Sequence, residues 1–197
     1  MGVPLEELTE GLSVEGQTDH PARWNVAPTE HHPVFALGPE NTLLGAMAPW
    51  GFSSDGSGKK APINARLESV DERPMFQSAI VQGRVVVPAT GWYEWKTSPL
   101  GRHPHYLQPA SGGPCWMAAI RHRGGGYAIL TTEATPDVAD VHHRMPVLLT
   151  TLQVQGWLEA RQLPNEAPAI DSWPVGMDVN RVGTDGPHLV QRLQTLF

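Results

Sequence analysis

Glycine and proline punctuate this chain from end to end, 20 Gly and 19 Pro in 197 residues. Glycine weakens a helix interior through backbone entropy, and proline removes a hydrogen-bond donor and clashes with the preceding turn. Such spacing favours many short elements joined by turns over a helical bundle. Short β-rich runs occur at Val34–Leu37, Thr42–Met47, Arg84–Pro88, Trp92–Trp95, Trp116–Ile120, Tyr127–Thr132 and Val147–Leu149. Helices are fewer. Leu5, Leu8 and Leu12 have helical spacing, and Met75, Phe76, Ala79 and Ile80 mark a second helix with Pro74 in its first turn and Gly83 closing it. Thr135-Pro136-Asp137 opens a third, and Thr151 with Leu152, Trp157 and Leu158 a fourth. Ser53–Lys60 reads as a surface loop, with turns at Ser111–Pro114 and Gly124–Gly126. The expected class is α+β: one domain over 1–197, a curled β-barrel-like sheet core and a few peripheral helices.

Composition narrows the function. No apolar run approaches the roughly 18 to 20 residues that span a bilayer, so no membrane partner is expected. The start, Met1-Gly2-Val3-Pro4-Leu5-Glu6-Glu7, has neither the basic nor the apolar region of a secretory signal. A single cysteine, Cys115, leaves no intramolecular disulfide and reads as a buried core thiol. A reduced cytoplasm is the simplest compartment. The net charge of -6 argues against a general duplex-DNA binder, though not against a small basic site. Eleven of the fourteen cations are arginine, the better bidentate phosphate ligand, a bias that a GC-rich genome also produces.

Four segments are too polar and aromatic for ordinary turns: Arg23–Thr29, Ile63–Glu68, Pro88–Lys96, and Thr131–Ala134 running on to Val141–Pro146. Glu94 lies between Trp92 and Trp95, where partial desolvation would raise its pKa into the acid/base range. A strand glutamate facing solvent or paired with Lys96 is the commoner arrangement. His142 follows a short helix and precedes Arg144, as a general acid/base near an anion or as a surface histidine at a helix C-terminus. Asn64 and Asn25 suit substrate orientation or turn capping. His31-His32, His103-x-His105 and His142-His143 supply imidazoles, but none matches a zinc signature, and adjacent strand residues point to opposite faces. No metal site is expected. There is no Gly-rich phosphate loop and no Gly-x-Ser-x-Gly elbow.

Taken in order, these segments resemble the SOS-response-associated peptidase (SRAP) family of abasic-site-processing proteins. The matching pieces are Arg23–Thr29, Ala48-Pro49-Trp50-Gly51-Phe52 and Asn64-Ala65-Arg66. Val87-Pro88-Ala89 follows with Gly91–Lys96, then Thr131–Ala134, and finally His142–Val147. The resemblance runs from about residue 20 to the C-terminus, with Val179-Asn180 near the family's closing strand. It implies binding to single-stranded DNA and covalent capture of the ring-opened aldehyde of an abasic site. The family does this through a cysteine at position 2, whose amine and thiol close a thiazolidine, with lyase or peptidase-type self-release. No cofactor is implied, and the expected state is a monomer. By the same resemblance Asn64, Glu94 and His142 are catalytic: Asn64 orients the N-terminal residue, Glu94 shuttles protons and His142 assists sugar ring opening. Asn25, Pro28, Trp50, Arg66, Thr132 and Arg144 are the implied DNA-binding residues, the arginines on phosphates and Trp50 on splayed bases.

The chain departs from the family at position 2, which is Gly. Too few residues precede the Asn25-Val26-Ala27-Pro28 motif, as though the family's first strand and part of its first helix were absent, which would leave Gly2 outside the site. A start codon set too late and a degenerate member both fit. Two other readings stay open: an inactive module that shields abasic single strands, and a metal-dependent hydrolase using histidine and Glu94.

Overall fold

The computed structural model describes residues 2, 4–10, 12–16, 20–53, 61–122 and 125–193. The helices are α1 Leu5–Leu8, α2 Pro74–Gln82, α3 Pro136–Ala139 and α4 Thr151–Ala160. The strands are β1 Val14–Gly16, β2 His31–Leu37, β3 Leu43–Pro49, β4 Asn64–Arg66, β5 Arg84–Ala89 and β6 Trp92–Ser98. They continue with β7 Gly101–Pro109, β8 Cys115–Arg121, β9 Tyr127–Glu133, β10 Arg144–Pro146, β11 Leu148–Leu149 and β12 Ile170–Pro174. All four anticipated helices are present, the last beginning at Thr151 and capped by Thr150 in a reciprocal box with Gln153. Most of the Ser53–Lys60 loop and Gly124 lie outside the described residues. Val179-Asn180 falls in a 3₁₀ turn, Met177–Asn180, and not in a strand.

The strands form two sheets. The larger runs β1-β3-β2-β5-β8-β9-β10, with β11 added on β8 and β4 on β9, and the smaller runs β12-β7-β6. The large sheet is open and not a closed barrel, since β1 and β10 end its path without pairing to each other. The class is α+β, as the spacing of Gly and Pro implies.

Alternation along β8 explains why Cys115–Ile120 is apolar without a break. Trp116, Ala118 and Ile120 face the core under the helices, with Phe35, Phe76 and Trp157. Cys115, Met117 and Ala119 face a second core, with Val34, Val87, Leu107 and Ile129. A strand buried on both faces has no polar side to alternate with. The second core is where the large sheet meets the small one, and the functional site opens there. Gly91 makes the crossing from β5 to β6 possible, since a Cβ at that position would collide with the Leu107 carbonyl and the Tyr106 ring.

Candidate active site

A cavity of about 630 Å³ opens between the two sheets. Strand β9 organises its polar end. Its C-terminal half is flanked by β4 in parallel, which sets Asn64 opposite Ile129 and Arg66 opposite Thr131. On the other side antiparallel β10 sets Arg144 opposite Glu133. Two strands distant in sequence therefore bring Asn64, Arg66 and Arg144 to one end of one strand. Strand β6 supplies Glu94 from the small sheet, and the turn after α3 supplies His142.

The oxygen Oε2 of Glu94 lies 3.6 Å from Nδ1 of His142, with the carboxylate side chain 22% exposed. Burial pushes the Glu94 carboxyl up to about 7, against the opposing pull of the His142 and Arg102 charges. The same His142 nitrogen lies 3.0 Å from the Arg144 carbonyl oxygen. The Arg144 backbone N–H lies 3.3 Å from the same nitrogen, so the Arg144 backbone fixes the imidazole beside the carboxyl. Glu94 is thus a largely buried carboxyl beside an imidazole, not a solvent-facing strand glutamate.

The other candidate residues divide by what they touch. Asn64 and Arg66 are exposed on the cavity wall, and their side chains make no hydrogen bond among the described residues. Pro28 and Trp50 line the same wall, and the Trp50 indole N–H is pinned to the Ile63 carbonyl at 2.9 Å, just before Asn64. Asn25 also lines the cavity, yet its amide is spent within the protein. Its Nδ2 donates to the Val179 and Thr184 carbonyls, both at 3.2 Å, stapling the C-terminal segment down. Thr132 is not on the cavity wall. Alternation along β9 turns Thr131 inward and Thr132 to the opposite face, where its hydroxyl reaches Glu68 at 3.4 Å. Arg144 lines the cavity but is engaged by the same Glu68 at 2.8 Å.

Several wall residues carried no sequence signal beyond their motif. Gly2, expected outside the site, lies on the wall with its backbone N–H 3.0 Å from the Thr90 hydroxyl, which also meets Tyr106 Oη at 3.1 Å. His32 faces the cavity as a neutral imidazole, because burial lowers its pKa to about 3. The Trp95 indole donates to Asn180 at 2.8 Å, so the 3₁₀ turn Met177–Asn180 forms part of the rim. Only tertiary structure brings these together. Among the described residues no three His, Cys, Asp or Glu side chains converge as a metal site. No helix there is long and apolar enough to cross a membrane.

Fold and site together define an α+β protein whose inter-sheet cavity holds a carboxyl–imidazole pair beside two arginines and an aromatic wall. The sequence model of the family "SOS response associated peptidase (SRAP)" matches residues 2–184, and the chain belongs to that family. It is 30% identical over 187 residues to the abasic site processing protein YedK of Escherichia coli, covering 86% of this chain and 84% of that one. It is 27% identical over 195 residues to the abasic site processing protein YoqW of Bacillus subtilis, covering 87% and 86%. A crystal structure of a protein from Bacteroides thetaiotaomicron shares the fold, with a TM-score of 0.69 at 21% identity, over 84% of this chain and 82% of that one.

Proposed function

We propose that this chain processes abasic sites in single-stranded DNA, using the cavity between its sheets to hold the ring-opened sugar. The observation that carries this reading is the Glu94–His142 pair, 3.6 Å apart and half-buried in a cavity whose wall also carries the unengaged side chain of Asn64. An abasic sugar lies mostly as a closed ring, and its aldehyde appears only after proton transfer at the ring oxygen and the anomeric hydroxyl. A carboxyl that titrates at about 7 with an imidazole 3.6 Å away suits that step. The names of the relatives support the substrate, and the exposed Arg66 supplies a phosphate contact at the mouth.

The test separates binding from chemistry. Arg66→Ala should weaken binding to abasic single strands and flatten its salt dependence by about one phosphate contact. Glu94→Gln and His142→Ala should bind nearly as well as the parent and react more slowly with the aldehyde. Equal affinity for intact duplex, or loss of binding in step with loss of reaction, overturns the assignment. A module that shields abasic strands without chemistry is the second reading, and unchanged aldehyde reaction in Glu94→Gln and His142→Ala would favour it.

A further inference from the structure

Arg66 and Arg144 stand on either side of β9, yet the fold treats them differently. Arg66 is free among the described residues. The guanidinium of Arg144 is almost fully committed: Nη1 donates to Glu68 Oε1 at 3.0 Å, and Nη2 to Glu68 Oε2 at 2.8 Å and to the Thr131 carbonyl at 2.6 Å. The Thr132 hydroxyl adds a donor to the same carboxylate at 3.4 Å. Only Nε, buried and without a partner, and one hydrogen of Nη1 remain. A fork of two parallel N–H groups with a neighbouring hydroxyl is the donor set that takes a phosphate. Here a carboxylate fills it.

The two partners differ in freedom. The Arg144 side chain is 14% exposed and anchored by Thr131, whereas Glu68 is 49% exposed on a 3₁₀ turn, Leu67–Ser69, directly after β4. Glu68 can leave without disturbing a strand, and Arg144 cannot. The hydrogen bonds from Arg144 hold the Glu68 carboxyl below its ordinary range, so it competes as a full charge at neutral pH. We propose that Glu68 is an internal stand-in for a backbone phosphate, occupying the Arg144–Thr132 subsite in the free protein and displaced when a DNA strand enters. This rests on the reading that the cavity takes a DNA strand. A brace that merely orients Arg144 has the same contacts and the opposite consequence, since its removal weakens binding.

The experiment measures fluorescence anisotropy of a labelled single strand carrying a tetrahydrofuran abasic analogue, which binds without reacting. The proteins are the parent, Glu68→Gln, Glu68→Ala, Arg144→Ala and the Glu68→Ala/Arg144→Ala pair, each checked by thermal melting. Freeing an exposed ion pair's partner is worth up to about fivefold, so both Glu68 variants should bind up to about fivefold tighter. The gain should vanish on the Arg144→Ala background. Weaker or unchanged binding by folded Glu68 variants overturns the proposal, as does a gain that persists without Arg144, which would be general charge removal. A second arm replaces DNA by inorganic phosphate. Phosphate should raise the melting temperature of Glu68→Ala more than that of the parent, and not that of the double variant. If no protein binds DNA but the phosphate arm behaves so, the DNA reading fails and the subsite stands. If the phosphate arm shows no difference, the subsite fails.

Discussion

At the scale of a residue, Glu94 carries an opposition between stability and chemistry. Its carboxyl titrates at about 7 in the fold because burial penalises the charge, against an ordinary 4.5. The folded state therefore holds a proton that the unfolded chain has already released. Stability contributed by that proton is full below about 4.5 and is lost as pH rises towards 7. At about 1.4 kcal/mol per pH unit, the loss is on the order of 3 kcal/mol, with the opposing His142 and Arg102 charges already included in the shift. Glu94→Gln removes the titration. Its melting temperature should match the parent at pH 4 and exceed it at pH 8, while aldehyde reaction loses its pH dependence between about 6 and 8. Equal melting curves for the two proteins at pH 8 would mean that Glu94 ionises as an exposed carboxylate. The burial was legible in the flanking tryptophans. The 3.6 Å approach of His142, 48 positions on, was not.

At the scale of elements, one arginine ties two helices to the large sheet. Arg84, at the start of β5, donates to the Ile80 and Val81 carbonyls at the end of α2. It also donates to Leu158 and Glu159 at the end of α4, every contact between 2.9 and 3.1 Å. Helix ends carry unpaired carbonyls and a partial negative charge, so a cation there satisfies both. Arg84→Met keeps the aliphatic stem and orphans four carbonyls. It should cost about 2–4 kcal/mol in a urea titration while leaving DNA affinity intact. A loss below about 0.5 kcal/mol would show that water takes over the capping. Other elements show where sequence runs out. Strand β7 escapes pattern reading because it holds Pro104 and Pro109, which normally argue against a central strand. Each proline sits where one neighbour has stopped: β12 reaches only to His105, and β6 begins opposite Leu107. Strands β4 and β10 are three residues each, too short for any alternation to show, yet they carry Asn64, Arg66 and Arg144. Their motifs were readable and their geometry was not.

At the scale of the whole molecule, the two sheets enclose a site whose wall includes Gly2, and the chemistry there is limited by what Gly2 lacks. In a protein that begins at Gly2, the glycine amine could condense with an aldehyde, losing water to form an imine that water reverses. A permanent trap needs a thiol beside that amine to add across the imine and close a ring. Cys115 cannot supply it, being 4% exposed with its thiol pushed up to about 12 by burial. The 197-residue chain should therefore give no heat-stable adduct with abasic single-stranded DNA, and at most a band that depends on borohydride. Gly2→Cys places the missing thiol on the wall. Its Cβ would stand 3.0 Å from Trp24 Nε1 and 3.5 Å from the Thr90 hydroxyl, so the indole must yield by a few tenths of an ångström. That variant, or a chain extended upstream to begin Met-Cys-Gly-Arg, should form a heat-stable band without borohydride on a denaturing gel. Changing the new cysteine to alanine should abolish it. A heat-stable, borohydride-independent band from the unaltered chain overturns the claim that it is chemically incomplete. Silence from both cysteine-bearing proteins, with DNA binding intact, turns the balance to the non-covalent shielding module.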